Sequence, residues 1–394
     1  MTASRLPAVD VVIAVRNEER RIGSCIESLV AQDYPAELVR IFVTDNASTD
    51  ATADVASRYP VTVLRESKLG SAAARNRATA EGRGELIAFF DGHCIANREW
   101  ISSMCAQFDD PRVGGAQARI ENDATDSRVL AYLENSGMAS YENVLEDTVY
   151  GTHNVYPWIL SGNCMYRREA VESVGGFDEA LPACEDVDLA WKVVLSGYLL
   201  VDCPGASVIH WNDDDWKKFA KKSWRQGRGS AVLAKRYLPV GAENAFQPSM
   251  IWRKGRDRSV IALKYWGGYR YESARISAGR SAASREAALP EVAIDARPAF
   301  DWTDERRLEI SRDVVYWFRG DSVSIVVHNP SRSRIVLDKS ADAIWRQAAV
   351  GSSREQTIHH LTATYNIERR EAESDLDEFI DELLKIGILR LVRD

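Results

Sequence analysis

This sequence predicts an α/β fold built on a mainly parallel sheet, followed by a smaller α+β domain. Three observations carry that reading. Apolar strand-like runs alternate with helical patterns over the first ninety residues, turn chemistry follows three of those runs, and the periodicity changes after a proline-containing stretch near residue 290. Strands alternating with helices of this length need right-handed crossovers, which set neighbouring strands parallel.

The elements follow in order. Residues 9–15 (VDVVIAV) are an apolar run, and the next segment sets Ile22, Ile26, Leu29 and Val30 on one helical face. Residues 39–44 (VRIFVT) are a second strand, and a short helix from about residue 49 leads to a third at 61–64. An alanine- and arginine-rich helix over 71–81 precedes the fourth strand, 85–90 (ELIAFF). Ligands of such sheets sit beyond the carboxyl ends of the strands, which directs attention to the turns at 16–19, 45–50 and 91–94. Residues 213–285 read as helical and polar; residues 287–299, with prolines at 290 and 298, read as a linker. Beyond it, 314–318 and 323–328 around Gly320-Asp321 predict a hairpin, and 334–337 a third short strand. Two amphipathic helices come next, one with Ile358, Leu361 and Tyr365, the other with Leu376, Phe379, Ile380, Leu383 and Leu384. Ser352 and Glu355 have capping-box spacing before the first of them.

Bulk properties narrow the function. A chain of 394 residues suggests two domains, and a net charge of −8 argues against a dedicated nucleic-acid binder. The sequence holds no apolar window long enough for a transmembrane span and no apolar core of a signal peptide, so a cytoplasmic location is expected. Cysteines 25, 94, 105, 164, 184 and 203 show no CxxC spacing and read as reduced thiols.

The chemistry gathers at the strand ends. In FFDGHC (89–94), Asp91 and His93 stand two apart after a strand. One carboxylate and one imidazole can hold a divalent cation while leaving positions for phosphate oxygens; the same tripeptide also makes an ordinary solvated turn. TDNASTD (44–50), VIAVRNEE (12–19), GSAAARNRA (70–78), SGNC (161–164) and ACEDVDLAWKVVLSGY (183–198) accompany it. In this order, over roughly the first 230 residues, these segments resemble family 2 glycosyltransferases of the GT-A fold, a Rossmann-like mixed sheet that binds nucleotide-diphospho-sugars.

That resemblance implies a UDP-sugar donor and a divalent metal. Asp45 matches the uracil-binding aspartate; Ala14, Val15 and Arg16 lie where the uridine is wrapped, Glu18 is a further donor-binding candidate, and Arg75 and Asn76 lie near the diphosphate or ribose. Asp91 matches the first acid of the DxD motif and Gly92 its middle position. His93 replaces the second acid, a DxH version familiar from polypeptide N-acetylgalactosaminyltransferases, which favours Mn²⁺ over Mg²⁺. His210 sits where a third metal ligand is common, or is a partly buried histidine ending a strand. Gly162 and Asn163 belong to the stretch facing the donor sugar. Glu185 and Asp186 match the catalytic ED pair, with Asp186 the base of an inverting transfer and Glu185 an acceptor-orienting group. Trp158 and Trp211 are either acceptor-stacking surfaces or core and rim; Arg225 and Arg228 either hold the diphosphate or face solvent. The basic run containing Arg253, Lys254, Arg256, Arg258, Lys264 and Arg270 reads as a solvated helix face in preference to a site for an anionic acceptor or membrane surface.

Residues 305–394 resemble PqqD-like peptide-binding modules, small winged-helix domains that capture the leader of a ribosomally made peptide. The expected layout is therefore a glycosyltransferase domain over 1–285, a linker over 286–304 and a PqqD-like domain over 305–394. The implied acceptor is a Ser, Thr or Cys side chain of a precursor peptide. A lipid-linked or polysaccharide acceptor, or a non-catalytic binding protein, are the alternatives, and a homodimer is compatible with either.

Overall fold

A computed structural model describes residues 5–123, 129, 148–149, 152–153, 157–211, 215–237, 256–278, 281, 300–303, 306–311, 314–319, 323–328 and 333–392. They fall into two compact units, residues 1–194 with 200–290, and 291–394 with 195–199.

The first unit holds an eight-stranded sheet. Its strands are β1 (Val9–Val15), β2 (Val39–Asp45), β3 (Thr62–Arg65), β4 (Leu86–Asp91), β5 (Cys94–Ala96), β6 (Val113–Asn122), β9 (Asn163–Arg167) and β10 (Leu199–His210), with a two-residue hairpin, β7 (Thr148–Val149) and β8 (Thr152–His153), apart from it. The order is β3-β2-β1-β4-β9-β6-β10-β5. β1 runs parallel to β2 and β4, and β2 parallel to β3. β9 runs antiparallel to both β4 and β6, and β5 antiparallel to β10. The sheet is thus mixed, as the GT-A likeness implied, and not mainly parallel as the alternation of elements alone suggested. The antiparallel half has no βα periodicity to reveal it.

β1 is apolar on both faces because it is a central strand covered on both sides. Its one polar residue, Asp10, is fully buried, with Arg40 at 2.7 Å and Arg168 at 2.6 Å. Asp10→Ala leaves those guanidiniums without their carboxylate and is expected to cost about 3 kcal/mol in urea unfolding; an unchanged midpoint contradicts this. The helix Ile22–Val30 buries Ile22, Cys25, Ile26 and Leu29 against the sheet. Val30, expected on that face, is 49% exposed because it falls past the edge of the stripe. Trp100 and Phe90 fill the layer below the turn at 91–94, edge to face at 5.0 Å. The polar segment after β10 contains two helices, Trp216–Tyr237 and Arg256–Ser277. Trp252, Arg253 and Lys254 lie outside the described residues.

The second unit has two antiparallel sheets. One joins β11 (Phe300–Thr303), β12 (Arg306–Ile310) and β16 (Leu389–Leu391); the other joins β13 (Val314–Arg319), β14 (Val323–His328) and β15 (Ser333–Asp338). The expected hairpin and third strand are β13–β15. β11 begins inside the stretch read as linker, a four-residue strand with Trp302 buried that is too short to show alternation. Helices Lys339–Ala349, Arg354–Tyr365 and Arg369–Lys385 pack around Trp345, Leu361, Leu376 and Ile380. The capping box is Ser353 with Gln356, one residue later than expected, since the Ser352 hydroxyl is taken by Gln347 at 2.8 Å. Tyr365, predicted on the apolar face, is 40% exposed.

Candidate active site

The tips of β1 and β2 are zipped together. The Asn17 amide donates to Ser48 Oγ (3.0 Å), that of Thr49 to Asn17 Oδ1 (2.8 Å), and that of Glu18 to Thr52 Oγ1 (2.8 Å). Asn17 and Ala47 hold left-handed backbone, φ 59° and 55°, which turns both loops over the strand ends. Beneath them Asp45 is 7% exposed, and its Oδ1 is buried with no hydrogen-bond partner. A buried carboxylate oxygen left without a donor is costly, and an imide N–H from a ligand is the kind of group that would satisfy it.

At the next strand tip β4 ends on Asp91, and β10 pairs with β5 so that His210 lies opposite Cys94. The Trp211 amide then donates to the carbonyl of His93 at 3.1 Å. This pairing carries the two imidazoles together, Nε2 to Nε2 at 3.1 Å with the rings edge to face. One ligand atom each from Asp91, His93 and His210 lies within 4.8 Å of the others. Adjacent ligands of an octahedral ion are about 3 Å apart, and two nitrogens with one oxygen at this spacing are a donor set that could hold a divalent cation. Burial opposes the charged form of Asp91, but His93, Arg75 and His210 outweigh it and hold its pKa below the usual range. Burial likewise opposes charge on His93, while Glu18 and Asp91 raise its pKa overall.

Beside this cluster Arg75, buried in the helix Ser71–Glu81, spans two acids. Its guanidinium reaches Glu185 at 3.0 Å and Asp91 at 3.3 Å and lies over the Phe177 ring. Ser71 also donates to Glu185. Burial pushes the Glu185 carboxyl up, but Arg75 and Ser71 bring it below its ordinary value. Asp186 has no such clamp: burial, and then the Glu185 charge, raise it to about 6. Two adjacent acids therefore differ, one fixed as an anion and one poised to take a proton near neutrality. Cys184, at φ 63°, turns the chain into the helix Glu185–Leu195 that presents the pair.

Several expected residues serve the scaffold instead. The Asn163 amide accepts from the Trp100 indole (2.7 Å) and donates to the Ala118 carbonyl (2.8 Å), so it faces the core and not a donor sugar. Asn76 is spent on the Phe177 backbone and Glu179, fixing the 175–179 loop. Arg228 pairs with Glu272 at 2.7 Å, and Arg225 donates to the Pro182 carbonyl at 3.1 Å. Gly92 and Gly162 are required by close packing, since a Cβ would strike Val15 at the first and the Asp91 carboxylate at the second. Ala14 and Arg16 sit at the β1 tip, Arg16 exposed. Trp158 and Trp211 are half-buried, and Arg21 lies over the Trp211 ring at 6.0 Å. Sequence reasoning missed Ser71, which carries no motif weight of its own, and Lys222, an exposed helix residue whose charge acts on both Asp91 and His93.

Residues 10–175 match the family model described as glycosyl transferase family 2, and residues 324–389 that of coenzyme PQQ synthesis protein D (PqqD). Residues 10–175 are thus a family 2 glycosyltransferase region and residues 324–389 a PqqD region. The glycosyltransferase AglE of Haloferax volcanii is 27% identical over 57% of this chain and 74% of its own length. A pre-mycofactocin glycosyltransferase of Mycobacterium tuberculosis is 29% identical over 58% of this chain, which spans 48% of that relative. Among solved structures, the mannosyltransferase PcManGT of Pyrobaculum calidifontis aligns with 73% of this chain and 78% of its own at 20% identity, with a TM-score of 0.48. The mixed eight-stranded sheet and the family match over residues 10–175 bear out the GT-A fold expected for the first unit. All six cysteines are free, and among the described residues no helix is long and apolar enough to cross a membrane.

Proposed function

We propose that this glycosyltransferase is a metal-dependent inverting enzyme that moves a sugar from a UDP-sugar to a Ser, Thr or Cys side chain of a precursor peptide held by its PqqD domain. The observation that carries the catalytic half is the convergence of Asp91, His93 and His210 beside the Arg75–Glu185–Asp186 array. Asp91, His93 and His210 would hold the cation, which when bound neutralises charge on the departing diphosphate. Asp45 would accept the uracil imide proton as a hydrogen bond through its buried Oδ1. Glu185, pinned by Arg75 and Ser71, fixes the helix end that aims Asp186 and adds the charge that raises its pKa. Asp186 takes the acceptor proton as the acceptor atom bonds to the anomeric carbon. The bond from that carbon to the β-phosphate oxygen breaks, and its electron pair leaves with UDP.

The peptide half rests on the PqqD match and on the sheet of β13, β14 and β15, whose edge offers backbone groups to an extended leader. Tethering the leader raises the local acceptor concentration to roughly millimolar. With the full chain, UDP-sugars and candidate precursor peptides, mass spectrometry is expected to show one added sugar, with at least a tenfold slower reaction when the leader is removed. Equal rates with and without the leader, or transfer to lipid-linked acceptors alone, contradict the peptide assignment.

A further inference from the structure

The carboxylate of Glu18 does not lie free to meet a nucleotide. Its Oε1 is 3.5 Å from His93 Nδ1, on the opposite side of the ring from the Nε2 that faces His210. Its Oε2 is 3.9 Å from the Arg21 guanidinium. The backbone is equally fixed, with the Glu18 amide on Thr52 Oγ1 and its carbonyl accepting from the amides of Arg21 and Ile22 at 2.9 Å. Arg21 in turn lies over Trp211, whose amide binds the His93 carbonyl. The contacts close a ring around the imidazole pair: Glu18, His93, Trp211, Arg21 and back.

We infer that Glu18 is a positioning residue for the metal site, holding His93 in the Nδ1–H tautomer with its Nε2 lone pair turned towards the cation. This rests on the metal-site reading above and goes beyond it, because the family likeness set Glu18 only among the donor-binding residues. A carboxylate behind a metal-binding imidazole fixes ring orientation and raises ligand basicity, and its loss typically weakens metal affinity 10- to 100-fold. A tight turn alone could also place an acid here, but it would not require that acid's side chain to face the far nitrogen of a ligand ring.

The test is Mn²⁺ binding by the full chain without nucleotide, read from the free-ion EPR signal, in wild type, E18A, E18Q and H93A. E18A is expected to raise Kd about 10- to 100-fold. E18Q, whose amide oxygen still accepts from Nδ1–H, should lose less. Ring ¹⁵N shifts of His93 in metal-free protein should report Nδ1–H in wild type and a shift towards Nε2–H in E18A. Wild-type affinity in E18A alongside weakened binding in H93A overturns the role of Glu18. Equal affinity in wild type and H93A overturns the metal reading itself.

Discussion

Asp186→Asn is expected to lower kcat by about 10²- to 10⁴-fold, the range for removing a general base, while UDP affinity stays within about twofold of wild type. The shape matches and the hydrogen bond from the Val187 amide at 2.9 Å can persist, so the loss reports proton transfer and not folding. Stability should move the other way. Asp186 titrates near 6 when folded, above an ordinary aspartate, because burial and Glu185 disfavour its charge. Ionising it therefore destabilises the native state as pH rises through that interval. The asparagine variant should be more stable than wild type by up to about 3 kcal/mol above pH 6, with the advantage vanishing below the usual aspartate range. Wild-type kcat/KM should fall as pH drops below about 6, and the residual activity of the variant should lack that limb. Thermal melts and rate profiles across pH 4–8 read all three effects.

The second large effect concerns the cation. Asp91→Asn removes the one anionic donor of the Asp91, His93 and His210 set and also half of the charge facing Arg75. A loss of about 10³-fold or more in turnover is expected. Chelation of wild type should give the same loss, and added Mn²⁺ should restore wild type but not the variant. Full activity of the chelated enzyme, checked by residual metal analysis, contradicts the assignment.

Much of this site was legible in the sequence because its motifs hang on parallel strands whose ends are marked by apolar runs. Asp45 and Asp91 follow from that logic, the 185–186 pair came instead from the family likeness, and the structure sets Asp45, Asp91 and Arg75 at or beside those tips. His210 was harder. Its place beside His93 depends on an antiparallel return strand, and nothing in the spacing of residues 93 and 210 announces that pairing. Asn76, Asn163 and Arg228, all donor candidates by sequence with Arg228 left open to a solvated role, have protein partners instead, and the ambiguity has a common reason. A polar side chain inside a motif looks the same whether it meets a ligand or, as here, buried backbone or an acid. Ser71 and the contact of Glu18 with His93 are tertiary facts, visible only once helix and loop are brought against the acids. In the second unit the hairpin and helices followed from periodicity, whereas β11 was too short to register.

The most direct measurement is calorimetric titration of UDP into the full chain with Mn²⁺ present and after chelation, repeated on Asp91→Asn. A cation beneath the pyrophosphate requires affinity to fall at least tenfold on chelation and in the variant. If UDP binds equally well in all three conditions, the grouping of Asp91, His93 and His210 does not serve the nucleotide, and the metal-dependent mechanism fails.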